Sequence, residues 1–233
     1  TRELALAQIA RENRSPELTR AAAEAVATMS QPEVKAQLIA VLAERGDTSV
    51  LPFVRKALTD TDLAVRVAAA ETCGVLKDVK AADALFEMLA GEQGEVASEA
   101  LRRIPGQAID VRLLKILRDS ESTCRVVAAD LLAARRYKGL FHALLDKRLF
   151  ESGDVALAKA VAGAIRIYAP DDSFPLILAF TLSLPESSAE LLVGTLSATL
   201  GAAADKPACV RRIAQALATC EAARAPILTA LLA

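Results

Sequence analysis

Tryptophan is absent from this 233-residue chain, and two tyrosines and six phenylalanines bring the aromatic share to only 3%. A core without large flat rings must be closed by helices that approach through small side chains, with Leu, Val and Ile in the seams. His142 is the single histidine. Lacking a second histidine and a nucleophile in a recognisable motif, a catalytic triad has nothing to be built from. The four cysteines, Cys73, Cys124, Cys209 and Cys220, form no CxxC pair and stand at no zinc spacing. They are expected to be small buried hydrophobes, with disulfides left open should the protein be exported. Alternating Val/Ile runs and Asn-Gly or Asp-Gly hairpin turns are also missing, which removes β-sheet classes. No P-loop, dinucleotide turn, HExxH helix or EF-hand loop occurs, so neither a cofactor nor a metal is expected. The longest uncharged stretches, 173–185 and 191–204, fall short of the roughly twenty residues of a membrane span. Charge of one sign is lacking too: 28 Lys and Arg balance 29 Asp and Glu, which argues against nucleic acid as a partner.

What the chain does contain is repetition. The phrase from Asp62 to Glu71, with Val65-Arg66 and Ala68-Ala69-Ala70, returns blurred from Glu121 to Asp130, about two periods of roughly thirty residues later. Helix starts near Pro32, Asp62, Glu95, Ser122, Asp154, Ser187 and Glu221 keep nearly the same step. The expected fold is all-α: an α-solenoid of about seven stacked antiparallel helix pairs in one array over 1–233. The pairs read as 16–29 with 32–45, 50–58 with 63–76, 81–89 with 95–104, and 111–117 with 122–136. Then follow 140–148 with 154–168, 173–184 with 187–203, and 207–219 with 221–233. Gly163, Gly194 and Gly201 fall inside helical patterns, where each costs about 1 kcal/mol relative to Ala unless close helix packing uses the missing side chain.

Charge is uneven along this array. Between Ala97 and Phe150 basic residues lead by about five, and from Glu151 to Asp205 acidic ones lead by as many. Cations recur at the ends of the second helices: Arg45, Lys77, Arg102 with Arg103, Arg135 with Arg136, and Arg166. Such an edge suits an anionic or acidic-peptide ligand, although cations in a last turn also offset free carbonyls by about 0.3–1 kcal/mol each. Arg102, Arg103, Arg135 and Arg136 are therefore the candidate partner-binding residues.

The segment from Ser49 to Leu58 with Pro52, the turn Asp60-Thr61-Asp62, and Val65-Arg66 with Ala68 to Ala70 resembles HEAT repeats. In particular, it resembles the short HEAT-like class found in many bacterial proteins and in the phycobilisome lyase family. The match is strongest over 32–136 and more divergent over 137–233, where Ala158 replaces the arginine. The resemblance implies a scaffold or adaptor that binds a protein partner on a surface lined by the second, inner helix of each pair. It also implies that Asp60, Asp62 and Arg66, and later Asp119 and Arg125, tie repeats together and do not contact ligand. The alternative is an enzyme on the same architecture, an alkylpurine DNA glycosylase or a bilin lyase relative. Base excision would need a basic groove with aromatics to hold the base.

At the ends, Thr1 follows no Met and 225–233 lacks a polar face, whereas terminal repeats usually carry a polar cap. The array is thus expected to be a piece of a longer protein, with a flanking domain, a partner or a second copy covering the C-terminal helix. A removed upstream segment leaves both cytoplasmic and exported settings open.

Overall fold

A computed structural model describes residues 15–119, 122–136, 140–151, 154–168 and 173–232. The described residues are helical throughout, with turns between and no strand. No helix among them is long and apolar enough to cross a membrane. By internal contacts the chain falls into two compact units, Thr1–Ile109 and Asp110–Ala233.

The first unit contains α1 (Pro16–Val26), α2 (Pro32–Arg45), α3 (Leu51–Ala57), α4 (Leu63–Val75), α5 (Ala82–Met88) and α6 (Gly94–Arg103). Proline stands in the first turn of α1, α2 and α3, where its missing N–H is one that the helix would leave unpaired anyway. The Ser15 hydroxyl accepts from the Leu18 N–H at 3.2 Å, and the Asp62 carboxylate accepts from Ala64 at 2.8 Å, each closing a helix start. Each second helix packs on the next: α2 on α4, and α4 on α6, with α3 and α5 laid against this row. Leu38, Ile39, Leu42, Leu101 and Ile104 are fully buried along it. At about 1.5–3 kcal/mol per large side chain, this seam is the main source of stability.

Turns after three of the inner helices share one device. Gly46 follows α2 at φ 71° and Lys77 follows α4 at φ 55°, both left-handed, and Arg136 repeats the geometry at φ 52° in the second unit. Each reversal lets the next repeat begin. Asp47 and Asp78 then cap the following short 3-10 turns, accepting from Ser49 and Lys80.

The second unit begins within α7 (Gln107–Arg118) and continues through α8 (Arg125–Arg135), α9 (Leu140–Leu144), α10 (Arg148–Glu151) and α11 (Val155–Tyr168). It ends with α12 (Phe174–Leu182), α13 (Glu186–Glu190), α14 (Val193–Ala202), α15 (Lys206–Thr219) and α16 (Ala225–Ala230). Here α8 packs on α11 and α11 on α14, a row of inner helices within this unit. Two expected helices are broken. The segment 140–148 stops at Leu144, because Asp146 accepts from the Arg148 N–H at 3.1 Å and starts α10. The segment 187–203 turns at Leu191 and Leu192, separating α13 from α14. At the C-terminal end Ile227, Leu228 and Leu231 are buried within the unit, while Leu232 is exposed.

All four cysteines are free thiols; Cys73, Cys124 and Cys209 are buried, and Cys220 is partly exposed.

Candidate functional site

Two grooves open on the inner-helix row of the first unit. Ala36, Gln37 and Ala40 of α2 face Leu63, Ala64, Val67 and Ala68 of α4 across an open, largely apolar groove of about 650 Å3. Beyond α4 lies a second groove of about 350 Å3, lined by Val75, Val96 and Ala100 with Glu71, Glu95, Glu99 and Arg103. Glu71 borders both. Small residues create this relief, since helices whose facing positions carry alanine leave their flanks open. Leu63 and Val75 stand 47% and 44% exposed beside the grooves, large apolar groups that the unit itself does not cover.

The sequence-nominated arginines divide between the two units. Arg102 and Arg103 lie exposed at the end of α6. Both converge on Glu99: Arg102 donates through Nε and a terminal nitrogen at 2.7 and 2.6 Å, and Arg103 through Nε at 2.8 Å. The Arg102 hydrogen bond, aided by Arg103, holds the Glu99 carboxyl well below its ordinary 4.5, at about 2. Arg135 takes a different course. Its side chain is only 6% exposed, and Nε donates to the Asp110 carboxylate at 2.5 Å, within its own helix pair. Arg45 does the same in the first unit, reaching back from the end of α2 to the Thr19 hydroxyl of α1. Arg136 remains exposed, in its left-handed turn. Of the cationic edge expected from sequence, Lys77, Arg102, Arg103, Arg136 and Arg166 are at the surface, and Arg45 and Arg135 are turned back onto the fold.

The residues nominated as inter-repeat ties act over shorter distances. Arg66 donates to the carbonyls of Asp60 and Thr61 at 2.8 and 2.9 Å, closing the turn of its own repeat. Arg125, its counterpart, is buried and donates to the Leu117 carbonyl at 3.1 Å, one of the carbonyls that the end of α7 leaves unpaired. Asp62 caps α4. Asp60 does reach the neighbouring repeat: Lys35 of α2 donates to it at 2.6 Å, and that bond holds the carboxyl below its usual range. The Asp119 carbonyl accepts from Ser122 at 3.2 Å, within the α7–α8 turn.

Other groups, unmarked by the sequence pattern, join repeat to repeat. Arg55 of α3 donates to both carboxylate oxygens of Asp78 at 3.0 and 2.9 Å. On the inner row the buried Thr72 hydroxyl, bonded to the Ala68 carbonyl at 2.7 Å, lies 3.3 Å from the Ile39 carbonyl of α2. Thr195 repeats this on α14, 3.2 Å from the Ala162 carbonyl of α11. The separation is 33 residues in both, one structural repeat. A polar residue at the same register in alanine-rich helices would have been the signal.

Among the described residues no group of three or more His, Cys, Asp or Glu is placed to hold a metal ion. His142 packs edge-on against Phe141, with ring centroids 5.5 Å apart.

Comparison with known proteins bears on the fold. The family described as HEAT repeats matches residues 27–103. A chain in the structure of the complex of CpcE and CpcF of phycocyanin lyase from Nostoc sp. PCC7120 shares 17% identity at a TM-score of 0.46, covering 93% of this chain and 88% of that one. Human deoxyhypusine hydroxylase, solved in complex with glycerol, shares 16% at a TM-score of 0.39, covering 98% and 93%. No curated protein matches the chain. The match to HEAT repeats spans residues 27–103, the stretch in which the inner helices stack and the grooves lie.

Proposed function

We propose that the protein is a non-catalytic interaction module that binds another protein on the inner-helix face of its first unit. The observation that carries this reading is the pair of grooves meeting at Glu71, with Leu63 and Val75 exposed beside them. Apolar side chains next to shallow grooves gain by being covered, at about 25 cal/mol per Å2 removed from water. The groove walls are the sides of helices, so a partner docks on side chains and leaves the backbone ladder intact. Arg103 lines the second groove with Arg102 next to it in the chain, both neutralised in part by Glu99, and they contribute to orientation more than to affinity.

The test is partner recovery from the native host with the whole chain as bait, compared between wild type and Val67→Arg/Val75→Arg. A protein retained by wild type and lost from the variant is the expected result. The same protein retained equally by both would refute docking on this face. Arg102→Glu/Arg103→Glu, which changes only surface charge, is expected to alter the association rate and its salt dependence without abolishing binding. Duplex DNA at low salt is expected to show no mobility shift; tight, salt-sensitive binding would favour base excision instead.

A further inference from the structure

We propose that the occupant of this face is a basic amphipathic helix of the partner protein, an inference that rests on the docking reading above. Charge comes first. Over residues 15–109 fourteen carboxylates stand against ten lysines and arginines. Four of these carboxylates stand on the groove side: Glu33 and Glu44 lie one turn either side of Gln37 and Ala40 on α2, Glu71 lies on α4, and Glu95 on α6, all exposed. No cation among the described residues of this chain engages Glu71 or Glu95. Glu99, by contrast, is occupied by Arg102 and Arg103. A partner that brings Lys or Arg beside Glu71 and Glu95 finds carboxylates with no intramolecular competitor, whereas an acidic segment or a nucleic acid meets like charge.

Shape argues for a helix over an extended strand. Strand addition needs an edge of unpaired N–H and C=O groups, and the sides of α2, α4 and α6 have theirs satisfied within each helix. A helical partner brings its own backbone bonds and needs only an apolar stripe, which Ala36, Ala40, Ala64, Val67 and Ala68 meet with small side chains that allow close approach. The complementary ligand is therefore a helix with Leu-type anchors one turn apart on one face and Lys or Arg flanking them.

The probe is a fluorescein-labelled designed helix of about four turns, leucines on one face and lysines on the other, read by fluorescence anisotropy with the full chain. Its sister carries glutamates in place of the lysines. The lysine peptide is expected to bind, to weaken with added salt, and to lose about tenfold in affinity on Glu71→Lys/Glu95→Lys, with circular dichroism confirming that the variant is folded. Glu71→Gln/Glu95→Gln, which is milder, should fall between. No binding of the lysine peptide, equal binding of the two peptides, or indifference of the lysine peptide to charge reversal overturns the basic-helix inference. In those cases Val75→Arg separates the two claims: if it still blocks whichever peptide or native partner binds, docking on this face stands; if it does not, both fall.

Discussion

Replacing Gly74 with alanine places a methyl group where α4 and α6 come closest. A Cβ built there would sit 2.8 Å from the Ala100 Cα and 3.1 Å from its Cβ. Two effects oppose each other. Alanine inside a helix is favoured over glycine by roughly 1 kcal/mol, because less backbone freedom is lost on folding. Against that, the nearest obstacle is backbone and cannot rotate away, and α6 is anchored by buried Leu101 and Ile104. Overpacking of this kind costs about 1–3 kcal/mol, so Gly74→Ala is expected to destabilise by a net ~1–2 kcal/mol. Gly163 on α11 is the internal control: a Cβ there meets nothing within 4 Å. Gly163→Ala should therefore gain about 0.5–1 kcal/mol without opposition. Urea unfolding reads both as shifts in midpoint at unchanged slope, followed with probes in each unit because two units need not unfold together. Adding Ala100→Gly to Gly74→Ala should restore only part of the loss, since the tightest contact is to the Cα. A Gly74→Ala protein as stable as wild type would refute the close-approach argument. A destabilised Gly163→Ala would refute the claim that its site is open.

Three further outcomes follow from the side-chain network. Arg135→Met leaves the Asp110 carboxylate partly buried without its cation, and should cost about 3 kcal/mol; Arg135→Met/Asp110→Leu should recover much of that, and a thermal-unfolding cycle showing simple additivity would contradict the coupling. Glu99 has its carboxyl lowered from 4.5 to about 2, so its contribution is complete above about 4.5 and fades as pH falls towards 2. Because the pair is solvent-screened, this step should not exceed about 1 kcal/mol, and Glu99→Gln should remove it from the acid limb of the stability profile. Burial, with the nearby Asp78 charge adding to it, pushes the Cys73 thiol up to about 12, so in the folded protein Ellman's reagent at mild alkaline pH should modify Cys220 well before Cys73. Equal rates in the native state would contradict that burial.

The repeats were legible because the signals that set them are local. Prolines at helix starts, the Asp62 cap, and apolar residues at three-and-four spacing along α4 act within a few residues, and all of them survive into the structure. Where the reading and the structure part, the deciding partner lies a repeat away or on another helix. Gly163, Gly194 and Gly201, for which close packing would have explained the missing side chain, face open space, whereas Gly74, hidden in the most regular phrase of the chain, is the position where a neighbouring backbone closes in. Arg135 and Arg136 are adjacent and chemically identical, yet one helix step turns the first onto Asp110 and leaves the second in solvent.

The same distinction governs the candidate site. Counting arginines along the sequence draws attention to a cationic edge, because charge adds up linearly in a list of residues. On the folded face, charge adds up by pairing. Glu99 absorbs Arg102 and Arg103, Asp110 absorbs Arg135, and Asp78 absorbs Arg55, so beside the grooves of the first unit the carboxylates at 71 and 95 are left for a ligand, with no cation among the described residues engaging them. A repeat array gains its specificity from those leftovers. The repeated residues are consumed in holding neighbours together, and what differs between repeats, here an unpaired acid beside an alanine-floored groove, is what remains to select a partner.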